Sequence, residues 1–130
     1  RRSELRGTFG DTEALDGAVA LTVDDEIATF GTNVDMAHEL KGKFGAAKVQ
    51  SLVSHGVLCG PAVERFLDPN CPVDHAYITD SIPDSIRGNG TLPKLRPLID
   101  AGKLTVIPWL DDLSNVIFYH HWDESVRTKR

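Results

Sequence analysis

The chain has 130 residues, of which 14 are basic and 19 acidic, so its formal net charge is −5 at pH 7. An apolar fraction of 41% with 25% charged residues is typical of a globular domain rather than a disordered chain, and no apolar run approaches the roughly 20 residues of a membrane-spanning helix. The acidic balance disfavours nucleic acid and the two cysteines are too few for a disulfide scaffold, so we expect one cytoplasmic α/β or α+β domain with neither a nucleic acid nor a membrane partner.

Short apolar runs alternate with helical patterns along the chain. The run AVALTV at Ala18–Val23 is typical of a strand that is buried on both faces. A helix is predicted from Thr32 or Asn33 to about Phe44, where Gly45 ends it. The remaining predicted elements are strands at Lys48–Ser54, His75–Thr79 and Leu104–Pro108, helices at Pro61–Leu67, Leu95–Ala101 and from Asp111 onward, and a mobile loop at Asp80–Thr91.

This alternation with short connections predicts an α/β fold with a doubly wound, mostly parallel sheet. In such folds, ligands bind beyond the carboxyl ends of the strands. The segments Asp24–Thr32, His55–Pro61 and Thr79–Pro83 follow three predicted strands, so we expect the functional residues there.

The decapeptide VDDEIATFGT at residues 23–32 has the clearest chemical pattern. Two carboxylates end a predicted strand, and a Thr-Phe-Gly-Thr turn opens the following helix. Such a turn aims backbone N–H groups and hydroxyls at an anion, and the helix dipole adds positive potential. The adjacent carboxylates can accept hydrogen bonds from vicinal hydroxyls or hold a metal through water. The pattern suits a sugar phosphate, although a strand-edge Asp pair beside a Thr helix cap remains the simpler interpretation.

Four segments carry a resemblance to known families. Asp24-Asp25 followed by Thr29–Thr32 resembles the ribose-phosphate loop of the type I phosphoribosyltransferase fold. SHGVLCGPAVER at Ser54–Arg65, TDSIP at Thr79–Pro83 and DESV at Asp123–Val126 resemble segments of ribose-phosphate pyrophosphokinase, also called PRPP synthetase. The order and spacing of the four segments match over about Gly10–Val126.

The resemblance implies an enzyme that transfers the diphosphate of ATP to the C1 hydroxyl of ribose 5-phosphate, with Mg²⁺, in a homo-oligomer. Asp24 would bind the ribose hydroxyls, directly or through Mg²⁺, and Asp25 would support it. The 5-phosphate would lie in a loop that consists of Ala28, Thr29, Phe30, Gly31 and Thr32.

Several positions depart from the family pattern. Ala28 stands where these synthetases usually carry Asp, and Phe30 replaces a small residue, so its ring must find room. A regulatory phosphate site of the family would involve Ser125, but Arg127–Arg130 replaces the second Ser and the apolar pair that accompany it.

The catalytic Lys-x-Arg and the ATP pocket of the family are not recognisable in the sequence, so the catalytic residues stay unassigned. We therefore expect residues 1–130 to be the C-terminal, ribose 5-phosphate-binding domain of a longer enzyme, with a sheet that is incomplete at its N-terminal side.

Three alternatives remain open. A catalytically silent regulatory subunit of the same fold would keep the packing motifs, and a phosphoribosyltransferase would lack the segments at Ser54–Arg65 and Thr79–Pro83. The spacing His55-x₃-Cys59-x₁₁-Cys71-x₃-His75 is also compatible with zinc. Structural zinc sites usually contain a tight Cys-x₂-Cys pair, which this pattern lacks, so buried or partly buried thiols are the favoured interpretation of both cysteines.

Overall fold

The computed structural model describes residues 10–88, 90 and 92–125. Four strands form one parallel sheet in the order β1-β2-β3-β4, namely β1 (Val19–Ile27), β2 (Lys48–Gly56), β3 (His75–Thr79) and β4 (Leu104–Ile107). The helices are α1 (Gly31–Gly42), α2 (Ala62–Leu67), α3 (Arg96–Asp100) and α4 (Leu110–His121), and two short 3₁₀ turns lie at Glu13–Leu15 and Asp84–Ile86. The prediction of an α/β fold with a parallel sheet is confirmed.

Strand β1 continues four residues beyond the predicted end at Val23. Glu26 lies beside His55 and Ile27 beside Gly56 in the parallel pairing with β2. Ile27 is almost completely buried, and burial of its side chain holds the acidic end of the strand against the sheet. The acidic residues therefore lie within the strand and not after it.

The hydrophobic core lies on the helix-covered face of the sheet. Helix α1 contributes Ala37, α2 contributes Phe66 and α3 contributes Leu98, and all three side chains are completely buried. They pack with buried strand residues that include Val49, Val53, Ala76, Ile78 and Leu104. This packing fixes the start of α1 and the start of α2 close to the carboxyl ends of β1 and β2.

The prediction that β1 is buried on both faces is wrong. Val19, Leu21 and Val23 are 57%, 55% and 73% exposed, whereas Ala20, on the other face, is buried. Side chains alternate between the two faces of a strand, and β1 is at the edge of the sheet. Within the part of the chain that the structure describes, the side of β1 that carries Val19, Leu21 and Val23 is not covered.

Helix α4 follows β4 and carries a second exposed apolar surface. The backbone N–H of Trp109, just before the helix, donates to Asp80 Oδ1 at 3.0 Å and ties the helix to the end of β3. Ile117, Phe118 and Trp122 are all exposed. None of the described helices combines the length and the apolarity that crossing a lipid bilayer requires.

Phe30 connects the turn after β1 to the core. Its backbone is left-handed, with φ 66° and ψ 4°, immediately before α1. Its ring is buried and packs against Phe66, with the ring centroids 4.4 Å apart. A side chain in this conformation is strained, so packing of the ring offsets the backbone cost. The ring thus finds its room in the core.

We predict that at Phe30 the Gly variant is more stable than the Ala variant, which is the reverse of their order at an ordinary helix position. Phe30→Ala should lower the free energy of unfolding by about 3 kcal/mol because the buried ring is lost. Phe30→Gly should be about 1 kcal/mol more stable than Phe30→Ala, because Gly adopts the left-handed conformation without a Cβ clash. Urea denaturation measures both values.

The matched control is exposed His38 within α1, where the Gly variant should be about 1 kcal/mol less stable than the Ala variant. The same order of Gly and Ala at both positions would contradict the account of Phe30.

Candidate functional site

A small polar pocket lies at the carboxyl end of β1. Its volume is about 170 Å³, and it is lined by Asp24 and Glu26 of β1, by the turn residues Ala28, Thr29 and Phe30, and by Gly31, Thr32 and Asn33 of α1. Six of the seven residues that the sequence analysis assigned to a sugar phosphate therefore surround one pocket. We call residues 28–32 the anion loop.

Asp25 is the one assigned residue outside this pocket. Because successive strand residues face opposite sides, Asp25 shares the open face with Val23, while Asp24 and Glu26 face the pocket. The backbone N–H of Asp25 donates to Asp24 Oδ1 at 2.9 Å, which helps to orient the Asp24 carboxylate. If the alternation of strand residues is continued past Val23, it predicts that Glu26, and not Asp25, shares a face with Asp24.

The anion loop presents unused hydrogen-bond donors. Within residues 10–88, 90 and 92–125, no oxygen accepts a hydrogen bond from the N–H groups of Thr29, Phe30, Gly31 or Thr32. The left-handed Phe30 followed by helical Gly31 gives successive N–H groups the concave arrangement that binds anions. The positive end of the α1 dipole lies at the same place. The pocket has N–H donors on one side and the carboxylates of Asp24 and Glu26 on the other. It therefore suits a ligand with a phosphate group at one end and hydroxyl groups at the other.

The carbonyl groups of Ala28 and Thr29 in the loop, and of Ile27 just before it, face α2 and the segment between β2 and α2. The N–H groups of Leu58 and Cys59 donate to the carbonyls of Ile27 and Ala28, each at 2.9 Å. Arg65 Nη1 donates to the Thr29 carbonyl at 2.8 Å. The second motif of the sequence analysis, Ser54–Arg65, is therefore in direct contact with the first.

The third motif, Thr79–Pro83, supports the second in turn. Thr79 Oγ1 donates to the Ser54 carbonyl at 2.5 Å, and Ser81 Oγ donates to the same oxygen at 3.1 Å. His55 Nδ1 is 2.9 Å from Ser81 Oγ. These contacts join the carboxyl ends of β2 and β3 beside the anion loop.

Arg87 anchors the connection after β3, which was predicted to be a mobile loop. Its side chain is fully buried, and its guanidinium donates to the carbonyls of Gly56 and Val57, the latter at 2.9 Å. Burial lowers the pKa of Arg87, and the Asp84 carboxylate, 3.8 Å from Nε, acts in the opposite direction. A lone Arg in a Gly- and Pro-rich segment gives no sequence signal of this role, because its acceptors lie about 30 residues earlier in the chain.

A larger groove lies beside the anion loop. Its volume is about 590 Å³, and its lining includes Thr29, Gly31, His38, Arg65 and Cys71. Burial raises the pKa of the Cys71 thiol, while its backbone hydrogen bond to Val73 acts to lower it. A raised pKa keeps this thiol protonated at neutral pH, as expected for a packing role.

The four residues of the zinc spacing do not form a metal site. In the described ranges, no three His, Cys, Asp or Glu side chains come together as metal ligands. The ring nitrogens of His75 lie 3.0 Å from the Gly102 carbonyl and 2.9 Å from Thr105 Oγ1. His75 is thus held between β3 and the start of β4.

The C-terminal motif gives little further information about the site. Ser125 is exposed and follows α4. Val126 and Arg127–Arg130, on which the regulatory phosphate prediction also depends, lie outside the described residues.

Comparisons with known proteins point to a single enzyme family. No family model matches the chain. The ribose-phosphate pyrophosphokinase of Rhodopirellula baltica is 37% identical over 112 residues, which are 86% of this chain and 31% of the relative. The enzyme of the same name from Clostridium acetobutylicum is 38% identical over 96 residues, or 74% of this chain and 28% of the relative.

A solved structure extends the likeness to the fold. Phosphoribosylpyrophosphate synthetase from Mycobacterium smegmatis matches with a TM-score of 0.63 and 27% identity, over 84% of this chain and 32% of that protein. The predicted phosphoribosyltransferase type of fold is thereby confirmed. The chain spans about a third of the length of the relatives it matches. In sequence and in fold, the chain is thus a relative of the ribose-phosphate pyrophosphokinases and corresponds to a part of them.

Proposed function

We propose that this chain is the sugar-phosphate-binding part of a ribose-phosphate pyrophosphokinase. The complete enzyme would transfer the diphosphate of ATP to the C1 hydroxyl of ribose 5-phosphate, with PRPP and AMP as products. The observation that carries this proposal is the set of unused N–H groups in the anion loop, beside two carboxylates in one small pocket. The similarity to named pyrophosphokinases supports the choice of reaction.

In this proposal the two sides of the pocket bind two parts of the substrate. The N–H groups of Thr29–Thr32 would donate to the 5-phosphate, together with the exposed hydroxyls of Thr29 and Thr32. The carboxylates of Asp24 and Glu26 would accept hydrogen bonds from the ribose hydroxyls. With both ends of the sugar held, the C1 hydroxyl would be oriented for in-line attack on ATP. Most of the rate advantage in phosphoryl transfer comes from such positioning and from charge stabilisation.

The residues at the pocket also fit Mg²⁺. Magnesium prefers oxygen ligands and is commonly held by one or two carboxylates, with water and substrate oxygens completing its shell. Asp24 and Glu26 line the same pocket and would hold the ion, directly or through water. When bound, Mg²⁺ would neutralise the charge of the diphosphate group.

The geometry favours a binding-competent domain over the alternative of a silent regulatory subunit. Any helix start leaves N–H groups such as those of Gly31 and Thr32 without an intrahelical acceptor. The additional free N–H groups of Thr29 and Phe30, beside two carboxylates, form an arrangement that a subunit without ligand binding would not need. Ala28 lines the pocket without a polar side chain, so any role of the family's Asp at this position is absent from this chain.

The wider setting is also part of the proposal. We infer that the chain is a C-terminal domain of a longer cytoplasmic enzyme that works as a homo-oligomer. The exposed side chains of Val19, Leu21 and Val23 support a larger protein, because contiguous apolar surface on a sheet is usually covered.

We predict that Gly31→Val weakens ribose 5-phosphate binding at least about tenfold, or about 1.4 kcal/mol. A Cβ at Gly31 would lie 3.3 Å from Arg65 Nη1, which is tighter than ordinary contact, so the branched Val side chain must displace the guanidinium or the loop backbone. Titration calorimetry on the protein measures the affinity.

Gly42→Val is the matched control, because Gly42 is in the same helix and a Cβ there meets no atom within 4 Å. This control should bind like the parent protein. An unchanged affinity in Gly31→Val would place the sugar-phosphate site elsewhere.

We also predict that the 130-residue chain alone does not synthesise PRPP. The reaction requires ATP and ribose 5-phosphate within reacting distance, and the chain corresponds to only about a third of the relatives. AMP release from ATP, compared with and without ribose 5-phosphate, tests this expectation. Sugar-dependent release by the pure chain would show that it contains the ATP site as well.

A further inference from the structure

Arg65 lies next to the anion loop although it is 36 residues from Thr29 in sequence. It lies in the last turn of α2 and is exposed, which by itself indicates a solvated surface residue. Its Nη1 nevertheless donates to the Thr29 carbonyl at 2.8 Å. The same atom is the nearest neighbour of the position that a Cβ of Gly31 would take, at 3.3 Å. The guanidinium therefore binds one carbonyl of the loop and lies close to Gly31.

The contact with Thr29 determines where the next N–H group points. A trans peptide group is planar, and its C=O and N–H point in opposite directions. All described peptide bonds are trans. When the Thr29 carbonyl is held towards Arg65, the N–H of Phe30 must face away from α2. Leu58 and Cys59 act in the same way on the two preceding peptide groups, but through their own backbones.

The charge of Arg65 matters as well as its hydrogen bond. The pocket lining contains the carboxylates of Asp24 and Glu26 and no basic side chain. A phosphate placed there would be repelled by both carboxylates, and it would be attracted directly only by neutral donors, namely the loop N–H groups and the Thr hydroxyls, and by the helix dipole. Arg65, immediately behind the loop, adds a full positive charge that partly compensates this repulsion.

We propose that Arg65 is a positioning residue for the phosphate of the sugar substrate: it holds the Thr29 peptide in the orientation that directs the Phe30 N–H at the phosphate, and it supplies positive charge behind the loop. The proposal rests on the proposed function of the anion loop. It assigns to Arg65 a role in ligand binding without contact with the ligand.

The first test measures ribose 5-phosphate affinity by titration calorimetry for Arg65→Ala and Arg65→Lys. Arg65→Ala should lower the affinity about tenfold. Arg65→Lys keeps a positive charge and a donor but not the planar fork, so its loss should be intermediate, about threefold. Arg96→Ala is the matched control, since Arg96 is an exposed arginine on α3 that is paired with Asp100 at 2.8 Å, and it removes the same charge. This control should bind within about twofold of the parent protein.

The second test needs no ligand. Backbone ¹⁵N relaxation measures the order parameters of the N–H groups of Thr29, Phe30 and Gly31. They should be about 0.85 in the parent protein and below about 0.6 in Arg65→Ala. The Arg96→Ala control should leave these values unchanged. A merely structural role of Arg65 would lower thermal stability without a selective change in the loop.

The two tests separate the failure of this proposal from that of the proposed function. If the parent protein binds ribose 5-phosphate and Gly31→Val does not, the loop is the site. Unchanged affinity and unchanged loop order parameters in Arg65→Ala then overturn the role of Arg65 alone. If the parent protein does not bind ribose 5-phosphate, the proposed function fails and this role fails with it.

Discussion

Three consecutive carbonyl groups, at the last residue of β1 and the two residues after it, are bound by the segment that follows β2, and the arrangement of the candidate site depends on this constraint. The acceptors are the carbonyls of Ile27, Ala28 and Thr29, and the donors are Leu58, Cys59 and Arg65. Because peptide groups are planar, each fixed carbonyl also fixes an N–H on the opposite side. Backbone polar groups that are not exposed to water must find partners. The loop therefore satisfies its acceptors within the protein and leaves its donors for water or an anion.

The same constraint explains why three separate motifs act as one unit. Parallel strands place their carboxyl ends at one edge of the sheet, so the segments that follow β1, β2 and β3 are neighbours. Ser54 receives two side-chain hydrogen bonds from Thr79 and Ser81, and Arg87 binds the carbonyls at the end of β2. Each segment supports the preceding one, and the series ends at the anion loop. In the proposed function, the Ser54–Arg65 segment would thus contribute to ligand binding through the backbone of its neighbour.

Phe30 shows how this loop differs chemically from one built of small residues. Its left-handed backbone would suit Gly, yet its ring is buried against Phe66 of α2. The strain at one residue is offset by packing that also joins the loop to α2, the helix that carries Arg65. The substitution of a small residue by Phe therefore leaves the N–H donors in place and moves the added side chain into the core, out of the pocket.

Local patterns were sufficient to predict much of the fold. Apolar runs and Gly stops identified all four strands and four helices, and the Thr-Phe-Gly-Thr turn identified the loop. The prediction failed where an acidic pair was taken as the end of a strand, because pairing with β2 and burial of Ile27 extend β1 past it.

The exposed face of β1 could not be predicted, since a continuous apolar run does not show which of its faces the described chain covers. Arg65 and Arg87 were missed because their acceptors are about 30 or more residues away in sequence. Such contacts depend on which segments the sheet brings together, and no local pattern encodes them.

The most direct test of the central claim is a ¹H–¹⁵N correlation spectrum of the protein during titration with ribose 5-phosphate. The account predicts that the amide signals of Thr29, Phe30, Gly31 and Thr32 shift most and saturate together, because these N–H groups gain an acceptor. Inorganic phosphate should shift the same signals but bind with weaker affinity than ribose 5-phosphate. If ribose 5-phosphate shifts other amide signals and leaves these four unchanged, the account is contradicted.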